Sequence, residues 1–394
     1  MKPVQIVTIK AKIPLYKKED LASKVELIAL EETGFEIVAQ KDLYNIGDKA
    51  VYIQPDYCLS EIPIFSSFIA PDGNEDRSLL GKVGGKPRRI RAKSFNLSKV
   101  PNGEKLYSNG ILLPLEEVVH YIMENVKDYS KKYDSVYAAV EDESNLGVYK
   151  YEEPEISTGG SMGNSPKTSL KTFPEGWYKT DETNIYNKLH SLTFPIYLLG
   201  TQKIDGSSIS ISADKICSRT REVSRFVKKV VGRRKKTWKE ILLFRKPDLN
   251  IYEEVENENE FVKVGKQYQD ALIEVGVTDI VLRGEANGKT FKGSGNVLNA
   301  SAKEEPNIKF FSIDKIENGV TKRLTYEDFL LKSSILRLPV VPLLFAEEFQ
   351  SKEQLIEKCE SIFKENKNME GIVIRDSDFN FSAKFMNNYY DSKK

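Results

Sequence analysis

The sequence predicts a multidomain α+β fold, in which a small β-barrel of the OB-fold type precedes a larger section of mixed strands and helices. Short runs of alternating apolar residues, separated by turn signals, fill the first 120 residues, and this spacing is typical of a small barrel. From about residue 173, longer apolar strands alternate with stretches of helical periodicity. A chain of 394 residues is also long enough for two or three domains.

The first section contains the β-rich runs "VQIVTIKAKIPL", "KVELIALEETGFEIVAQ", "KAVYIQPD" and "NGILLPL". A helical pattern follows from Leu115 to about Asp134, and the polar, Gly/Ser/Pro-rich stretch Tyr151–Ser169 predicts a linker or mobile loop. We therefore place the barrel at residues 1–120, a helix and linker at 121–172, and a second domain at 173–394.

The second section contains the strands "PIYLLGTQK", "SSISISA", "DIVLRGEANG", "IKFFSID" and "GIVIRD". Apolar residues recur at helical spacing in Tyr326–Leu336 and Lys352–Asn366, which predicts two helices. No internal repeat is evident.

Composition disfavours several classes of protein. The formal net charge is +1, so bulk charge does not indicate a nucleic-acid partner and any basic surface must be local. Cys58, Cys217 and Cys359 include no C-x-x-C pair, which disfavours a zinc finger or a disulfide scaffold and suits a reducing compartment. The two histidines lie far apart, which disfavours a histidine triad. With no signal-peptide core or membrane-length apolar run, we expect a cytoplasmic protein. The balanced, unpatterned charge of the surface leads us to expect a monomer.

Charged residues stand at the ends of several otherwise apolar strands, where burial is costly unless they are paired or bind something. Lys203 ends the run "LLGTQK" and is followed by Ile204, Asp205 and Gly206, a strand–turn–strand pattern. The pattern K-x-D-G alone is weak, because about 0.1–0.2 matches are expected by chance in such a chain, and a solvated turn lysine is the alternative. Further charged positions strengthen it: Arg219, Glu285, Glu370 and Lys384.

In chain order the segments that contain these residues, together with one aromatic segment, are "KIDG", "SR", "RGE", "FFSID", "EGIVIRD" and "SAKF". The series resembles the nucleotidyltransferase motifs of covalent ligases and mRNA-capping enzymes. More closely, the chain resembles ATP-dependent RNA ligases of the Naegleria and Deinococcus type, which carry an OB-fold before the nucleotidyltransferase domain. The resemblance covers nearly the whole chain apart from the linker and the insertion Ser224–Val264. It implies an ATP-grasp-like ligase domain of antiparallel sheets with flanking helices. Three segments support this branch: "DLYNIGDKAVYIQPDYCLSE", "RIRAKSFNLSKV…NGILLPL" and "WYKTDETNIYN".

The resemblance implies three reaction steps. A lysine attacks the α-phosphate of ATP, the AMP passes to an RNA 5′-phosphate, and a 3′-hydroxyl displaces AMP to seal the strand. Lys203 is the implied nucleophile. An ordinary lysine has a pKa of about 10.4, so deprotonation at pH 7 costs about 4.6 kcal/mol. Burial and a nearby divalent cation both favour the neutral amine, and we expect Gly206 to allow the backbone conformation that aims the lysine.

The resemblance also assigns the other catalytic residues. Asp205 acts through metal-bound water or steadies the turn, and an ordinary turn aspartate is the alternative. Glu285 and Glu370 hold hydrated Mg²⁺ or Mn²⁺ and the ribose, because oxygen ligands that retain water suit this hard cation. Lys384 neutralises the α-phosphate as pyrophosphate leaves. The implied metal ligands are Asp205, Glu285 and Glu370.

A nucleotide pocket is implied as well. We favour Phe311 for stacking on adenine, because alternate strand residues share a face, so that Phe311 lies with Ile313 and Phe310 points away; core packing is the alternative. Gln202 contacts the adenine edge, and Arg219 contacts the ribose or a nucleic-acid phosphate. The remaining pocket residues are Lys179, Thr180, Ile204 and Ser382.

Three positions depart from the family pattern. Gln202 stands where a glutamate is common, and Asn184 replaces a frequent arginine. Ser382 occupies the place where many ligases have the first lysine of a K-x-K pair, so phosphate neutralisation depends more on Lys384.

Two basic clusters are candidates for contact with RNA phosphates, with a solvated strand, loop or amphipathic helix as the alternative. One is Arg88, Arg89 and Arg91 in "KPRRIRAKSF". The other lies in Ser224–Glu240, where Trp238 is a candidate for stacking on a base. Its basic residues are Lys228, Lys229, Arg233, Arg234, Lys235 and Lys236.

The expected partner is therefore RNA with 5′-phosphate and 3′-hydroxyl ends, in a nicked duplex. Capping guanylyltransferases and DNA ligases usually place an OB domain after the last lysine motif, and only ten residues follow Lys384 here. A catalytically inactive OB-fold nucleic-acid-binding protein is the third alternative, although Lys203, Glu285 and Glu370 are all present.

Overall fold

A computed structural model describes residues 2–151, 170–179, 182–239, 249–291, 293 and 295–393. Within these ranges the predicted α+β class is confirmed, and every strand pair in the sheets is antiparallel. The helices of the first part are α1 (Ser66–Ile69), α2 (Leu115–Asn125), α3 (Tyr129–Lys132) and α4 (Val136–Val140), and those of the second are α5 (Glu260–Glu274), α6 (Tyr326–Ile335), α7 (Lys352–Glu365) and α8 (Asn388–Asp391).

The strands of the first part are β1 (Val4–Ile13), β2 (Tyr16–Lys17), β3 (Asp20–Leu21), β4 (Val25–Leu30), β5 (Glu36–Gln40), β6 (Lys49–Ile53), β7 (Tyr57–Cys58), β8 (Gly81–Val83), β9 (Lys86–Arg89), β10 (Lys93–Phe95), β11 (Leu106–Ser108), β12 (Ile111–Pro114) and β13 (Tyr149–Lys150). Those of the second are β14 (Leu170–Thr172), β15 (Ile196–Lys203), β16 (Ser207–Ile211), β17 (Ile216–Cys217), β18 (Arg221–Val223), β19 (Phe226–Arg233), β20 (Asn250–Glu256), β21 (Ile280–Asn287), β22 (Asn307–Glu317), β23 (Val320–Arg323), β24 (Leu343–Phe349), β25 (Gly371–Arg375) and β26 (Ser382–Met386).

The N-terminal sheet has the strand order β12-β6-β1-β4-β5 and curls until its edges nearly meet. The backbone N–H of Asn109 donates to the carbonyl of Glu36 at 3.2 Å, and the N–H of Val38 donates to Ser108 Oγ at 3.0 Å. These contacts join β5 to the last residue of β11 and to the residue that follows it. The sheet is thus barrel-like, while its assignment as an OB-fold stays a prediction.

The helix predicted from Leu115 is interrupted. It ends at Asn125, and Asp128 adopts a left-handed backbone (φ 55°) before α3 begins. Buried residues of α2 and α4, including Val118 and Val140, share one apolar cluster with Val51 of β6. The segment up to residue 151 therefore packs against the N-terminal sheet, and the predicted linker after Tyr151 lies outside the described residues.

Two sheets form the second part, and both predicted helices are confirmed as α6 and α7. The larger sheet has the order β14-β18-β17-β16-β21-β22-β23, and the smaller one β24-β15-β25-β26. Helix α5, which was not predicted from the sequence, packs Val262 and Leu272 into the core of the larger sheet. Helix α7 buries Leu355 and Phe363 against the smaller sheet. The chain passes from one sheet to the other between β15 and β16.

Strands β19 and β20 form a separate two-stranded ribbon. The alternative of an amphipathic helix at Ser224–Glu240 is therefore wrong for Phe226–Arg233, which is extended. None of the described helices is long and apolar enough to cross a membrane.

Candidate active site

The site lies where the chain leaves the smaller sheet for the larger one. Lys203 is the last residue of β15 and pairs in register with Gly371, the first residue of β25. This register brings Glu370, which directly precedes β25, beside the lysine. Lys203 Nζ lies 2.6 Å from Glu370 Oε2, and the Glu370 side chain is only 5% exposed. Two residues far apart in sequence thus form a tight ion pair.

Gly206 brings the chain against β21, where Glu285 lies. A Cβ atom on this glycine would stand 2.3 Å from the Ala286 carbonyl oxygen and 3.0 Å from Glu285 Cγ. Gly206 does not have a positive φ, so the prediction that it supplies a special backbone conformation is wrong. The glycine is needed for space, and its small size holds Glu285 close to the turn after Lys203.

Asp205 is buried behind the turn and held from the C-terminal end of the chain. The Tyr390 hydroxyl donates to Asp205 Oδ2 at 2.7 Å, and Asn299 Nδ2 donates to the Asp205 carbonyl at 3.0 Å. Gly293 (φ 56°) approaches so closely that a Cβ there would lie 2.3 Å from Asp205 Oδ1. These contacts fit the expectation that Asp205 steadies the turn. Tyr390 and Asn299 were not predicted, because they carry no motif of their own.

The predicted metal ligands are all carboxylates, the donor type that Mg²⁺ and Mn²⁺ prefer. Glu370 and Glu285 flank the two sides of the turn that holds Asp205. The described part of the chain contains no cluster of three or more His, Cys, Asp or Glu residues arranged as a ready metal site. The chemistry of the donors fits such a cation, and the assignment of Asp205, Glu285 and Glu370 as its ligands stays a prediction.

Phe310 and Phe311 are separated by a β-bulge. Arg283 pairs with Ser312 but Gly284 pairs with Phe310, so Phe311 is the extra residue on β22. Phe310 is fully buried in the same core cluster as Ile313. The prediction that Phe311 shares a face with Ile313 is therefore wrong, because simple alternation fails at a bulge. The partly buried Phe311 nonetheless lies outside that cluster, with the Arg375 guanidinium 5.6 Å from its ring centre.

Arg375 is the centre of a buried polar cluster that was not predicted from the sequence. Its Nη2 lies 3.3 Å from Glu182 Oε1, and its Nε donates to Ser382 Oγ at 3.2 Å. Burial alone would raise the pKa of the Glu182 carboxyl, but Arg375, the Ser382 hydroxyl and Arg323 hold that pKa below its usual value. Among the described atoms, Arg375 Nη1 and Arg323 Nη2 are buried without a hydrogen-bond partner. Arg375 ends an apolar strand, the signal that marked the other candidates.

Lys384 lies on β26, paired with Val373 of the neighbouring β25. Its ammonium contacts the N-terminal part of the chain, where Asp56 Oδ2 lies 3.2 Å from Lys384 Nζ. The other oxygen of Asp56 lies 3.0 Å from Arg89 Nη2, and the Arg89 guanidinium stacks 3.9 Å above the Tyr151 ring centre. Asp56 therefore joins a predicted catalytic lysine to the N-terminal sheet.

Comparison with known proteins identifies the second part of the chain. Residues 196–386 match the family model described as RNA ligase. This part of the chain is an RNA ligase domain. It contains Lys203, Glu285, Glu370 and Lys384, together with the bulge at Phe311 and the buried Arg375.

Solved structures of Naegleria gruberi RNA ligase share the fold over essentially the whole chain. A variant with ATP and Mn has a TM-score of 0.64 and 19% sequence identity, and the match covers 100% of this chain and 99% of that one. The ligase with PPi has a TM-score of 0.63 at 18% identity, covering 99% and 98%. A variant with AMP and Mn has a TM-score of 0.63 at 19% identity, covering 100% and 99%. A search of curated proteins found no match.

Other predicted pocket residues lie at varying distances from the centre of the RNA ligase domain. Gln202 and Ile204 flank Lys203 and are partly buried. Arg219 is exposed in the turn between β17 and β18. Lys179 is exposed, with its ammonium 5.8 Å from the Phe173 ring centre. Thr180 lies outside the described residues.

The two basic clusters differ in their surroundings. In the first, Arg88 lies 2.7 Å from Glu61, Arg89 is engaged by Asp56, and Arg91 packs against Gly81. In the second, the basic residues lie on or beside the exposed ribbon, away from the Lys203 turn. Contact of either cluster with RNA stays a prediction. The second cluster consists of Lys228, Lys229, Arg233, Arg234, Lys235 and Lys236.

Proposed function

We propose that this chain is an ATP-dependent RNA ligase that seals 3′-hydroxyl and 5′-phosphate ends through a covalent AMP on Lys203. The observation that carries the proposal is the pairing of Lys203 with Glu370 at the crossing between two sheets, within a domain that matches the RNA ligase family. The Naegleria gruberi ligase structures with ATP, AMP and Mn support the nucleotide and the metal.

The spacing of the residues supports their roles. Among the Naegleria ligase variants, a lysine and an aspartate two positions apart are replaced, as are a glutamate and a lysine fourteen positions apart. Lys203 and Asp205 are also two positions apart, and Glu370 and Lys384 are also fourteen apart. A second replaced glutamate precedes the first by 85 positions, the separation between Glu285 and Glu370. At 19% identity, three coincident spacings favour a shared set of catalytic residues.

Lys203 must lose its proton before it attacks a phosphate. The contact with the Glu370 carboxylate favours the charged ammonium. The nucleophilic amine therefore requires Glu370 to turn to another positive partner. A divalent cation held by Glu370 and Glu285 would supply that charge and withdraw electrons from the α-phosphate. Asp205, fixed by Tyr390, would then keep the lysine turn in place while the amine forms the phosphoramide bond.

The proposed pocket for the base lies between the two sheets. Phe311 presents a partly buried ring from β22, and Arg375 approaches it from β25. Buried guanidinium nitrogens without partners are uncommon, and a ligand with acceptor atoms would satisfy them. A nucleotide offers both a flat ring and such acceptors. The Lys384 ammonium would neutralise negative charge on the α-phosphate as pyrophosphate leaves.

The proposed substrate is RNA with a break in one strand of a duplex. AMP on Lys203 would pass to the 5′-phosphate, and the 3′-hydroxyl would displace AMP to form the phosphodiester. An mRNA-capping enzyme would use the same lysine chemistry with GTP, so the choice of nucleotide distinguishes the two functions and both nucleotides must be tested.

The test is the mass of the intact protein after incubation with Mg²⁺ and either ATP or GTP. Lys203→Ala is compared with Lys358→Ala, which removes a surface lysine paired with Glu347. We expect one AMP adduct with ATP in the parent and in Lys358→Ala, and none in Lys203→Ala. An adduct with GTP alone would indicate a capping enzyme. No adduct after bound AMP is removed would reject the ligase proposal.

A further inference from the structure

We propose that the β19–β20 ribbon is an arm that binds the double-stranded RNA flanking the break, away from the sealing site. This inference rests on the proposed RNA ligase function. The ribbon pairs only with itself among the described sheets, and most of its residues are exposed on both strands.

The stretch that contains the ribbon is longer in this chain than the corresponding stretch of the matched Naegleria ligase. In that ligase, the replaced lysine of the lysine–aspartate pair lies 57 positions before the nearer of the two replaced glutamates. Lys203 and Glu285, which correspond to that lysine and that glutamate by the spacings given above, are 82 positions apart. The 25 extra positions fall in the stretch that contains β19 and β20.

The base of the arm is fixed at the end of the larger sheet that lies away from Lys203. β18 ends at Val223, which pairs with Ile216, and Ile216 pairs with Ile211 at the end of β16. Ile211 lies five residues beyond Gly206, or about 17 Å along the strand. The arm therefore starts well away from the reacting ends.

The base is also braced against helix α5. Arg225 pairs with Asp270 on that helix, with Arg225 Nη2 3.2 Å from Asp270 Oδ2. Asn257 closes the base from the other strand, donating from its Nδ2 to the Ser224 carbonyl at 2.8 Å. With eight residues in β19, the arm extends roughly 26 Å from this anchored base.

The positive charge of the arm lies on β19 and the residues that follow it, whereas β20 carries Glu253, Glu254 and Glu256. Residues 226–239 contain seven Lys and Arg residues and no Asp or Glu. The ion pairs that the described residues form include none with Lys228, Lys229, Arg233 or Lys235, although Glu254 and Glu253 stand opposite the two lysines. These side chains are exposed, as is Trp238, at 79%.

The distribution of charge favours a double helix over a single strand. Consecutive strand residues point to opposite faces, so Lys228 and Lys229 place positive charge on both faces of the ribbon. A groove presents phosphates on both of its sides, whereas a single strand follows one face. The wide, shallow minor groove of double-stranded RNA admits such contacts to phosphates and sugar hydroxyls.

The experiment compares nicked RNA duplexes with short and long flanks. The base separation and the arm length together span about 43 Å, which is roughly 15 base pairs of an A-form RNA duplex with a rise of about 2.8 Å per base pair. We choose flanks of roughly 5 and 20 base pairs on each side of the nick, below and above that span. Each protein is first loaded with AMP, as verified by mass, and its Kd for each duplex is measured at several salt concentrations. A protein that cannot be loaded contradicts the proposed ligase function rather than the arm.

We expect Arg233→Ala with Lys235→Ala to raise the Kd for the long duplex roughly three- to tenfold near physiological salt. The slope of log Kd against log salt should fall by roughly 0.9 for each lost phosphate contact. Glu253→Gln with Glu254→Gln, which removes negative charge from the same arm, should tighten binding of the long duplex. Neither pair should alter binding of the short duplex.

The matched control is Lys352→Ala with Lys364→Ala, which removes two exposed charges from helix α7. It should leave both Kd values unchanged. Equal changes in Kd for the short and long duplexes would overturn the proposal. It would also be overturned if the Arg233→Ala and Lys235→Ala variant lost as much affinity for a single-stranded RNA as for the long duplex. Unchanged Kd values in both arm variants would also overturn it. Because Glu253→Gln with Glu254→Gln is expected to tighten binding, its result cannot be explained by a loss of folded protein.

Discussion

At the scale of single residues, the site depends on side chains that are distant in sequence and carry no motif. Asp205 was identifiable from its place after Lys203, but its hydroxyl donor, Tyr390, is 185 residues away. The sequence marks that region only as "NNYYD" near the end of the chain. Because the contact depends on how α8 packs beside the Lys203 turn, no local pattern could have predicted it.

Tyr390→Phe should slow AMP transfer to Lys203 without abolishing it. The substitution removes the donor 2.7 Å from Asp205 Oδ2 and leaves the ring in place. Loss of a buried hydrogen bond to a carboxylate is worth about 1–3 kcal/mol. We therefore expect the rate of adduct formation to fall roughly five- to 150-fold, measured by the time course of the intact mass.

Tyr389→Phe is the matched control, because Tyr389 is the preceding residue and is exposed. Its adduct should form at the parental rate. If the two variants behave alike, Tyr390 does not position Asp205. A fall in the amount of folded protein, monitored by circular dichroism, would separate a loss of stability from a slower reaction.

At the scale of elements, sequence patterns predicted several long, buried strands but missed most of the short strands and the irregularities. Apolar alternation located β15, β16, β21, β22 and β25, since each is a long, largely buried run. The same rule misassigned the faces of Phe311 and Phe310, because the bulge in β22 depends on pairing with β21. Helix α5 was missed because it begins inside the charged insertion.

The site was likewise predicted in part. Charged residues in otherwise apolar runs marked Lys203, Glu285, Glu370 and Lys384, because buried charges require a partner. Lys203 and Glu370 do lie at or directly beside strand ends, whereas Glu285 lies inside β21 and Lys384 is the central residue of β26. The sequence did not reveal that Arg375 and Glu182 join β25 to the segment preceding β15, since their contact depends on the placement of two separate elements.

Glu182→Gln should flatten the dependence of Tm on pH in acid. The pKa of Glu182 is lower in the folded protein than its ordinary value of 4.5, so its contribution to stability is present above that value. This contribution is lost as pH falls through the folded pKa. The Tm difference between parent and variant should therefore be largest at neutral pH and shrink as pH falls below 4.5.

Thermal unfolding from pH 7 to pH 3 measures this difference. Glu175→Gln provides the control, because Glu175 is an exposed glutamate a few residues earlier. Its Tm curve should run parallel to that of the parent. A Glu182→Gln curve that is also parallel would show that Arg375 and Arg323 do not stabilise the ionised carboxylate.

At the scale of the whole molecule, the N-terminal sheet and the RNA ligase domain share contacts next to the proposed active site. Tyr186 packs its ring between Phe35 of the N-terminal part and Phe385 of β26, with ring centres 5.2 and 5.6 Å away. Asp56 contacts Lys384 on the same strand. The N-terminal part therefore restricts where β26, and with it Lys384, can lie.

Asp56→Asn should weaken this connection and leave the local backbone unchanged. Asp56 has a left-handed backbone (φ 70°), which asparagine also adopts readily, so the substitution mainly removes charge. It leaves Arg89, only 11% exposed, without its carboxylate. Because the Asp56 side chain is one-third exposed, we expect the free energy of unfolding to fall by about 1–2 kcal/mol, below the range for a fully buried pair.

Asp72→Asn is a close control, because Asp72 also has a left-handed backbone (φ 53°) and also pairs with an arginine, Arg77. That pair is highly exposed on both sides, so its loss should change the free energy of unfolding by less than about 0.5 kcal/mol. Urea unfolding of both variants measures the difference. If Asp56→Asn is as neutral as Asp72→Asn, the charged contact does not hold the two parts together in solution, and Lys384 must be positioned by its own domain.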